Sequence, residues 1–374
     1  MTARQQLQEQ LQDLLDGATW AALASPPGQH GPLDGAPGAV ALIAHRGEVV
    51  AHACSGWALA FDAEGHLLPE TEREPVTAEH VWDVASVTKL LTAVTALVQV
   101  DAGVLDLDRP VAEDLPELAA GADPDRRRIL PRHLLTHTAG LPAVRQLWRT
   151  PGSRADHARR VLSAPLTAGP GQRQEYSCVG YLVLGLLLER LTGRPLPELV
   201  QASVTGPLGM TATGYDPGRR PVVATEYQQD PPRGLVRGQV HDETAWTLGD
   251  AGNAGIFATA GDLLAFGEEV RTGAAGLLTE SSRALLHTGT LTAAETGRVG
   301  YDQAVGFRLG QESLMATTDP GVLGHSGFTG TAVVIDSARE LVTVLLTNRV
   351  HPHRDRFEVL ELRQDLARIA RTAT

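Results

Sequence analysis

Apolar residues recur along the chain in blocks of different period. Leu7, Leu11, Leu14 and Leu15, within Arg4 to Leu15, fall at helical spacing and predict a short amphipathic helix at the start. Ser25 to Gly38 is rich in Pro and Gly and reads as a loop. The apolar runs Ala39 to Ala44 and Val49 to Ala53 flank His45-Arg46-Gly47-Glu48, which predicts an antiparallel hairpin. Val81 to Val100 carries Leu90, Leu91, Val94, Leu97 and Val98 on one helical face. Asp101-Ala102-Gly103 supplies a stop, so one helix is predicted there.

From Asp106 to about Ala254 the pattern is of short helices broken by Pro and Gly, among them Tyr181 to Leu191 and Leu196 to Val204. A helix at Asp262 to Arg271 follows, then strands at Gly330 to Ile335 and Leu341 to Leu346, and a closing helix from Phe357 to Ala370. Strands near both ends, with helices between them and at the termini, predict an α/β sandwich assembled from the two chain ends with a helical domain inserted in the middle. The expected division is residues 1–82 with 255–374 for the α/β domain and 83–254 for the mostly helical one.

The 374 residues suffice for two or three structural units and a large buried core. Hydrophobic residues make up 43% and charged residues 20%, which excludes disordered, collagen-like and coiled-coil classes. The net charge of −12 would repel a phosphate backbone, so nucleic acid is not an expected partner. No run of 18 apolar residues occurs, so no membrane-spanning helix is expected. The start has no apolar segment after Arg4, which gives a cytoplasmic expectation. Cys54 and Cys178 are too few for a disulfide framework and lack zinc-site spacing.

Of 32 basic residues only Lys89 is a lysine; the others are arginine. Arg stays protonated in protein sites, whereas burial can depress a Lys until it accepts a proton. Lys89 closes Ser86-Val87-Thr88-Lys89, and a spacing of three on a helix puts both side chains on one face. A helix starting near Ser86 would place that serine among free backbone N–H groups and lower the Lys89 pKa by positive potential. Such a pair suits a nucleophile whose proton Lys89 takes or relays, with the Ser86 N–H stabilising an oxyanion.

Two further elements follow in order: Tyr176-Ser177-Cys178 before an apolar helix pattern, and His325-Ser326-Gly327 immediately before a strand. The set S-x-x-K, then Y-x-N, then K/H-[ST]-G resembles the serine β-lactamase and penicillin-binding protein superfamily, in its class C-like branch with DD-carboxypeptidases and β-lactamase-fold esterases. Leu134 to Pro142, Pro207 to Met210, Ala258 to Asp262 and Gly324 to Gly330 also resemble stretches of that branch. The resemblance covers roughly residues 38 to 350. It implies an α/β (α+β) β-lactamase-like fold, an antiparallel sheet flanked by helices, with the site in the cleft beside the helical domain. It also implies Ser86 as acylated nucleophile, Lys89 as its proton partner and Tyr176 as second base. The Ser86 and Phe328 N–H groups would form the oxyanion hole. His325, with Ser326 and Gly327, would line the pocket. No metal or organic cofactor is implied.

Two positions depart from that pattern. Cys178 stands where the family has an Asn that holds an acylamide arm, and a thiol is a poor substitute. His325 begins the triplet instead of Lys, removing a permanent cation from the carboxylate position. Both favour neutral esters, so the expected function is a carboxylesterase acting on a small ester or amide. A β-lactamase or DD-peptidase is one alternative, and a penicillin-recognising sensor that acylates without turnover is another. His137 is expected to organise its loop, and His241-Asp242-Glu243 and His351 to Asp355 to be structural rather than metal-binding. Asn253 fits either an approach to the pocket or a turn.

Overall fold

The computed structural model describes residues 2–19, 35–120 and 123–373; the Pro- and Gly-rich loop expected from Ser25 falls outside these as far as residue 34. Its centre is one antiparallel sheet of eight strands: β1 (Gly38–His45), β2 (Glu48–Leu59), β3 (Glu74–Pro75), β4 (Asp302–Gln303), β5 (Arg308–Leu309), β6 (Val322–Ser326), β7 (Ala332–Asp336) and β8 (Leu341–Thr347). The spatial order is β3-β2-β1-β8-β7-β6-β5-β4. Strands from the two ends of the chain meet where β1 runs antiparallel to β8, with Ala39 opposite Thr347 and His45 opposite Leu341. β1 and β2 are joined by Arg46-Gly47, both at positive φ (+56° and +81°), the turn whose twist matches that of its strands.

Successive residues of a strand face opposite sides, and β1 is buried on both. Ala39, Ala41 and Ile43 pack with Leu7, Leu11 and Leu15 of α1 (Ala3–Ala18) and with Leu362 and Leu366 of the C-terminal helix (Leu360–Ala370). Val40, Leu42 and Ala44 face a larger core shared with α2 (Thr88–Asp101), α3 (Cys178–Thr192) and α4 (Ala260–Thr272). The C-terminal helix is α5. Small alanines on the first face leave room for the leucines of two helices, and burial of that kind contributes roughly 25 cal/mol per Å² of apolar surface. Among the described residues no helix is long and apolar enough to cross a membrane.

The single helix expected over Val81 to Val100 is broken in the structure. Trp82–Asp83 pairs with Phe257–Ala258 as a short strand, Ala85–Val87 forms a 3-10 turn, and α2 begins only at Thr88. Thr88 through Leu97 are all buried, so this helix shows no polar face that could have marked its start. The triplet expected just before a strand is also placed differently: His325 and Ser326 end β6, and β7 begins six residues after Ser326, at Ala332. Burial of four of its five residues deprives β6 of the polar alternation that identifies a half-exposed strand.

Candidate active site

The turn that carries Ser86 is built by its neighbours. Asp83 is buried; one of its oxygens accepts the Ala85 N–H (2.8 Å) and the other the His241 N–H. Burial raises its pKa despite those bonds. Ala85 is held at φ +47°, a left-handed conformation that costs an L-residue roughly 1–2 kcal/mol. The chain thereby turns from strand into helix at the serine.

One turn on, Lys89 is fully buried and uses all three of its N–H groups. Nζ donates to Ser86 Oγ (3.0 Å), to the Asn253 carbonyl (2.9 Å) and to Cys178 Sγ (3.6 Å). Burial opposes the charged form, yet Coulomb interaction with Cys178 and Tyr176 holds the Lys89 pKa above its ordinary value. The expected depression is therefore overturned: Lys89 is an ammonium. Asn253 contributes its backbone carbonyl, while both polar atoms of its side chain are buried without a partner among the described residues.

Tyr176 lies over this ammonium, with its ring centroid 5.0 Å from Lys89 Nζ. Its two flanking residues are fixed by His137, itself at φ +58°: the Glu175 N–H donates to the His137 carbonyl (2.9 Å) and the Ser177 N–H to His137 Nδ1 (3.1 Å). Ser177 caps α3 by accepting the Gly180 N–H (3.0 Å). Tyr176 and Cys178 thus flank the helix cap Ser177, and the His137 and Tyr176 rings lie 4.6 Å apart, tilted by 40°.

His325 completes the wall, with its ring 5.9 Å from that of Tyr176. Its Nδ1 donates to the Ser326 carbonyl (2.8 Å), which leaves Nε2 a buried acceptor without a partner among the described residues. Burial, reinforced by the charges of Arg308 and Lys89, pushes its pKa well below 6.5, so the imidazole is neutral. The expectation that no permanent cation replaces the family's Lys is corrected by Arg308. This residue is opposite Gly324 in the β5–β6 register, and its Cζ is 5.0 Å from the Tyr176 ring centroid. No sequence motif marks Arg308; only the register brings it to His325.

Phe328 is tied to the serine turn by two side chains that follow it. Thr329 Oγ1 donates to the Asp83 carbonyl (2.8 Å) and Thr331 Oγ1 to that of Val84 (2.9 Å). Gly327 must be glycine here, because a Cβ would come within 2.4 Å of the Val84 oxygen. The turn is closed by the N–H groups of Gly327 and Gly330, and that of Phe328 takes no part in it. The Phe328 ring is half exposed, stacks on His241 and lies beneath Arg349 and Arg354.

His241 and His351 are tied into structure. His241 Nε2 meets Glu226 at 2.8 Å, and Glu226 is gripped by Arg354. His351 donates to the Thr225 carbonyl and accepts the Ala60 N–H. Among the described residues no group of three His, Cys, Asp or Glu is placed to hold a metal ion.

These buried imidazoles make stability depend on pH. An unfolded histidine protonates near pH 6.5, whereas burial pushes folded His351 down to about 4 and His137 and His325 well below 6.5. Between the folded and unfolded values the unfolded chain binds more protons, so stability is lost as pH falls, by up to about 1.4 kcal/mol per pH unit for each histidine. Urea midpoints are expected to drop from pH 7 to pH 5, and less steeply in His351→Gln. Equal slopes in the two proteins would assign the acid sensitivity to other groups.

The sequence model of the beta-lactamase family matches residues 27–368. The chain belongs to the beta-lactamase family. A protein of Escherichia coli K12 named "Putative D-alanyl-D-alanine carboxypeptidase" is 28% identical over 329 residues, covering 79% of this chain and 75% of that one. A protein of the same name from Salmonella agona is 27% identical over 356 residues, covering 85% and 80%. Among solved structures, EstCE1, described as a hydrolase with promiscuous acyltransferase activity, superposes with a TM-score of 0.75 at 23% identity, over 98% of this chain and 99% of that one. A class C beta-lactamase superposes with 0.74 at 16% identity, over 100% and 97%.

The α/β (α+β) architecture expected from the motifs is thus the beta-lactamase fold, and the chain is a hydrolase of that family. Relative to the motif pattern of the family, this beta-lactamase-fold site has a thiol facing its lysine, a neutral imidazole at the head of the triplet and a guanidinium from the neighbouring strand.

Proposed function

We propose that this hydrolase cleaves small esters through an acyl-enzyme on Ser86, with Lys89 and Tyr176 as its catalytic partners. The observation that carries the reading is the 3.0 Å bond from the Lys89 ammonium to Ser86 Oγ, which orients the oxygen while leaving its own proton to another acceptor. With its three N–H groups committed and its charge retained, Lys89 has no lone pair to offer, so the Ser86 proton goes to the Tyr176 oxygen as the second base. Oγ adds to the ester carbon, and the carbonyl electron pair moves onto an oxygen held by the Ser86 and Phe328 N–H groups. Collapse re-forms the carbonyl and expels the alkoxide, which takes the proton back from Tyr176. Water then repeats the sequence, with the acyl group leaving as the acid and Ser86 regaining its proton.

The ester preference rests on Cys178. Its Sγ is turned to Lys89, and no side-chain amide at this position meets an acylamide arm. A short-chain p-nitrophenyl ester is expected to exceed nitrocefin in kcat/KM by at least about tenfold, roughly 1.4 kcal/mol in transition-state stabilisation. Cys178→Asn should narrow that gap. A wild-type protein that prefers nitrocefin overturns the ester assignment.

Arg308 favours a second reading, a substrate carrying a carboxylate, such as the C-terminus of a short peptide. Its charge is permanent, lies over the Tyr176 ring and acts on His325. A peptide ending in a free carboxylate and cleaved faster than the ester, with Arg308→Ala raising its KM alone, would replace the first reading with this one.

A further inference from the structure

The peptide that presents the Phe328 N–H is held from behind by a half-buried cation. Arg363, on α5, donates through Nη2 to the carbonyl oxygens of Gly327 (2.9 Å) and Thr331 (3.0 Å). Its side chain is half-buried, with Nε enclosed. Burial, followed by repulsion from Arg349 and Arg308, pushes its pKa down to about 9. Glu358 is the acidic side chain acting on it, and no ion pair joins the two among the described residues. A half-buried charge without a paired carboxylate carries a desolvation cost, and packing of α5 against the sheet would be served as well by an apolar residue.

What the charge meets is specific. The Gly327 carbonyl and the Phe328 N–H belong to one planar trans peptide and point in opposite directions. A guanidinium fixed on the oxygen sets the plane of that peptide and so the aim of its N–H. It also draws electron density toward the oxygen, which strengthens the N–H as a donor. The next peptide is held likewise: Arg349 Nε donates to the Phe328 carbonyl (2.8 Å), and Arg349 Nη1 is anchored on the Arg354 and Phe357 carbonyls. Phe328 is therefore bracketed by two guanidinium groups.

We propose that Arg363 is a positioning residue for hydrolysis, aiming and polarising the Gly327–Phe328 peptide so that its N–H meets the oxyanion. The role rests on the reading of Ser86 as nucleophile and of the Phe328 N–H as oxyanion donor. It ties the C-terminal helix to the chemistry without any contact with substrate.

The test compares Arg363→Met, Arg363→Gln and Arg363→Lys with the wild type on a short-chain p-nitrophenyl ester. Phenylboronic acid serves as a probe that becomes a tetrahedral anion on a serine. Arg363→Met is expected to lower kcat about 10²-fold while KM stays within about threefold, and to weaken phenylboronic acid by a similar factor. Arg363→Gln and Arg363→Lys, which each keep a donor, should recover about tenfold of that loss. Leu366→Ala on the same helix removes buried packing and should lower the urea midpoint without moving kcat. Where Arg363→Met does not fold, the Gln and Lys variants decide, since both must then fall measurably below the wild type in kcat. Folded variants within threefold of the wild type in kcat and in boronate affinity overturn the role of Arg363. A wild type that turns over ester without ever showing an acyl adduct on Ser86 overturns the underlying reading instead.

Discussion

Replacing Ser86 by alanine is expected to abolish the acyl adduct and to lower kcat by at least about 10⁴-fold, leaving what the oxyanion donors and binding can do alone. The variant should fold. Ser86 is half-buried, and its Oγ is one of three acceptors for Lys89, so losing it leaves one ammonium N–H in want of a partner at a cost of about 1–2 kcal/mol. Steady-state hydrolysis of a p-nitrophenyl ester and intact mass after brief exposure to it measure the two effects independently. A folded Ser86→Ala with wild-type kcat would falsify the acyl-enzyme reading, while the fold and family stand on other evidence.

Lys89→Arg is expected to cost on the order of 10²-fold or more in kcat, although it conserves the charge. The sequence alone suggests one reason, that Arg offers no titratable amine. The structure supplies a different one. Lys89 is enclosed, and its compact ammonium meets Ser86 Oγ, the Asn253 carbonyl and Cys178 Sγ in three directions. A planar guanidinium on a longer stem cannot meet these directions without displacing Tyr176 or the Asn253 turn, and overpacking of that kind costs about 1–3 kcal/mol of stability as well. The kinetic loss should therefore be accompanied by a lower urea midpoint. An Arg variant with unchanged midpoint and kcat would reduce Lys89 to a source of charge.

Several parts of the fold are legible because they are encoded over a few neighbouring residues. The leucines at 7, 11 and 15 repeat at helical spacing and are all buried in α1. Arg46-Gly47 marks a hairpin turn between two apolar runs, and β1 and β2 pair across it. The same kind of reading fails where burial is complete. Val81 to Val100 looks continuous because strand, turn and helix are all apolar, and the break is made by an Asp83 carboxylate and a left-handed Ala85 that no periodicity reveals. β6 went unseen for the same reason.

By itself the sequence determined what is local: the fold family through the order of its motifs, and the placing of Ser86 one helical turn before the only lysine. Tertiary structure decided the properties that belong to an environment. Lys89 is held toward its charged form by Tyr176 and Cys178 from a different segment, and it donates a hydrogen bond to the Asn253 carbonyl. A permanent cation stands beside the neutral His325 because β5 pairs with β6 in one register, and the Phe328 peptide is braced by an arginine from α5. Periodicity and spacing are written in neighbouring residues. Protonation and the direction of an N–H are set in a buried site by the fields and hydrogen bonds of groups far along the chain, which only the folded chain brings together.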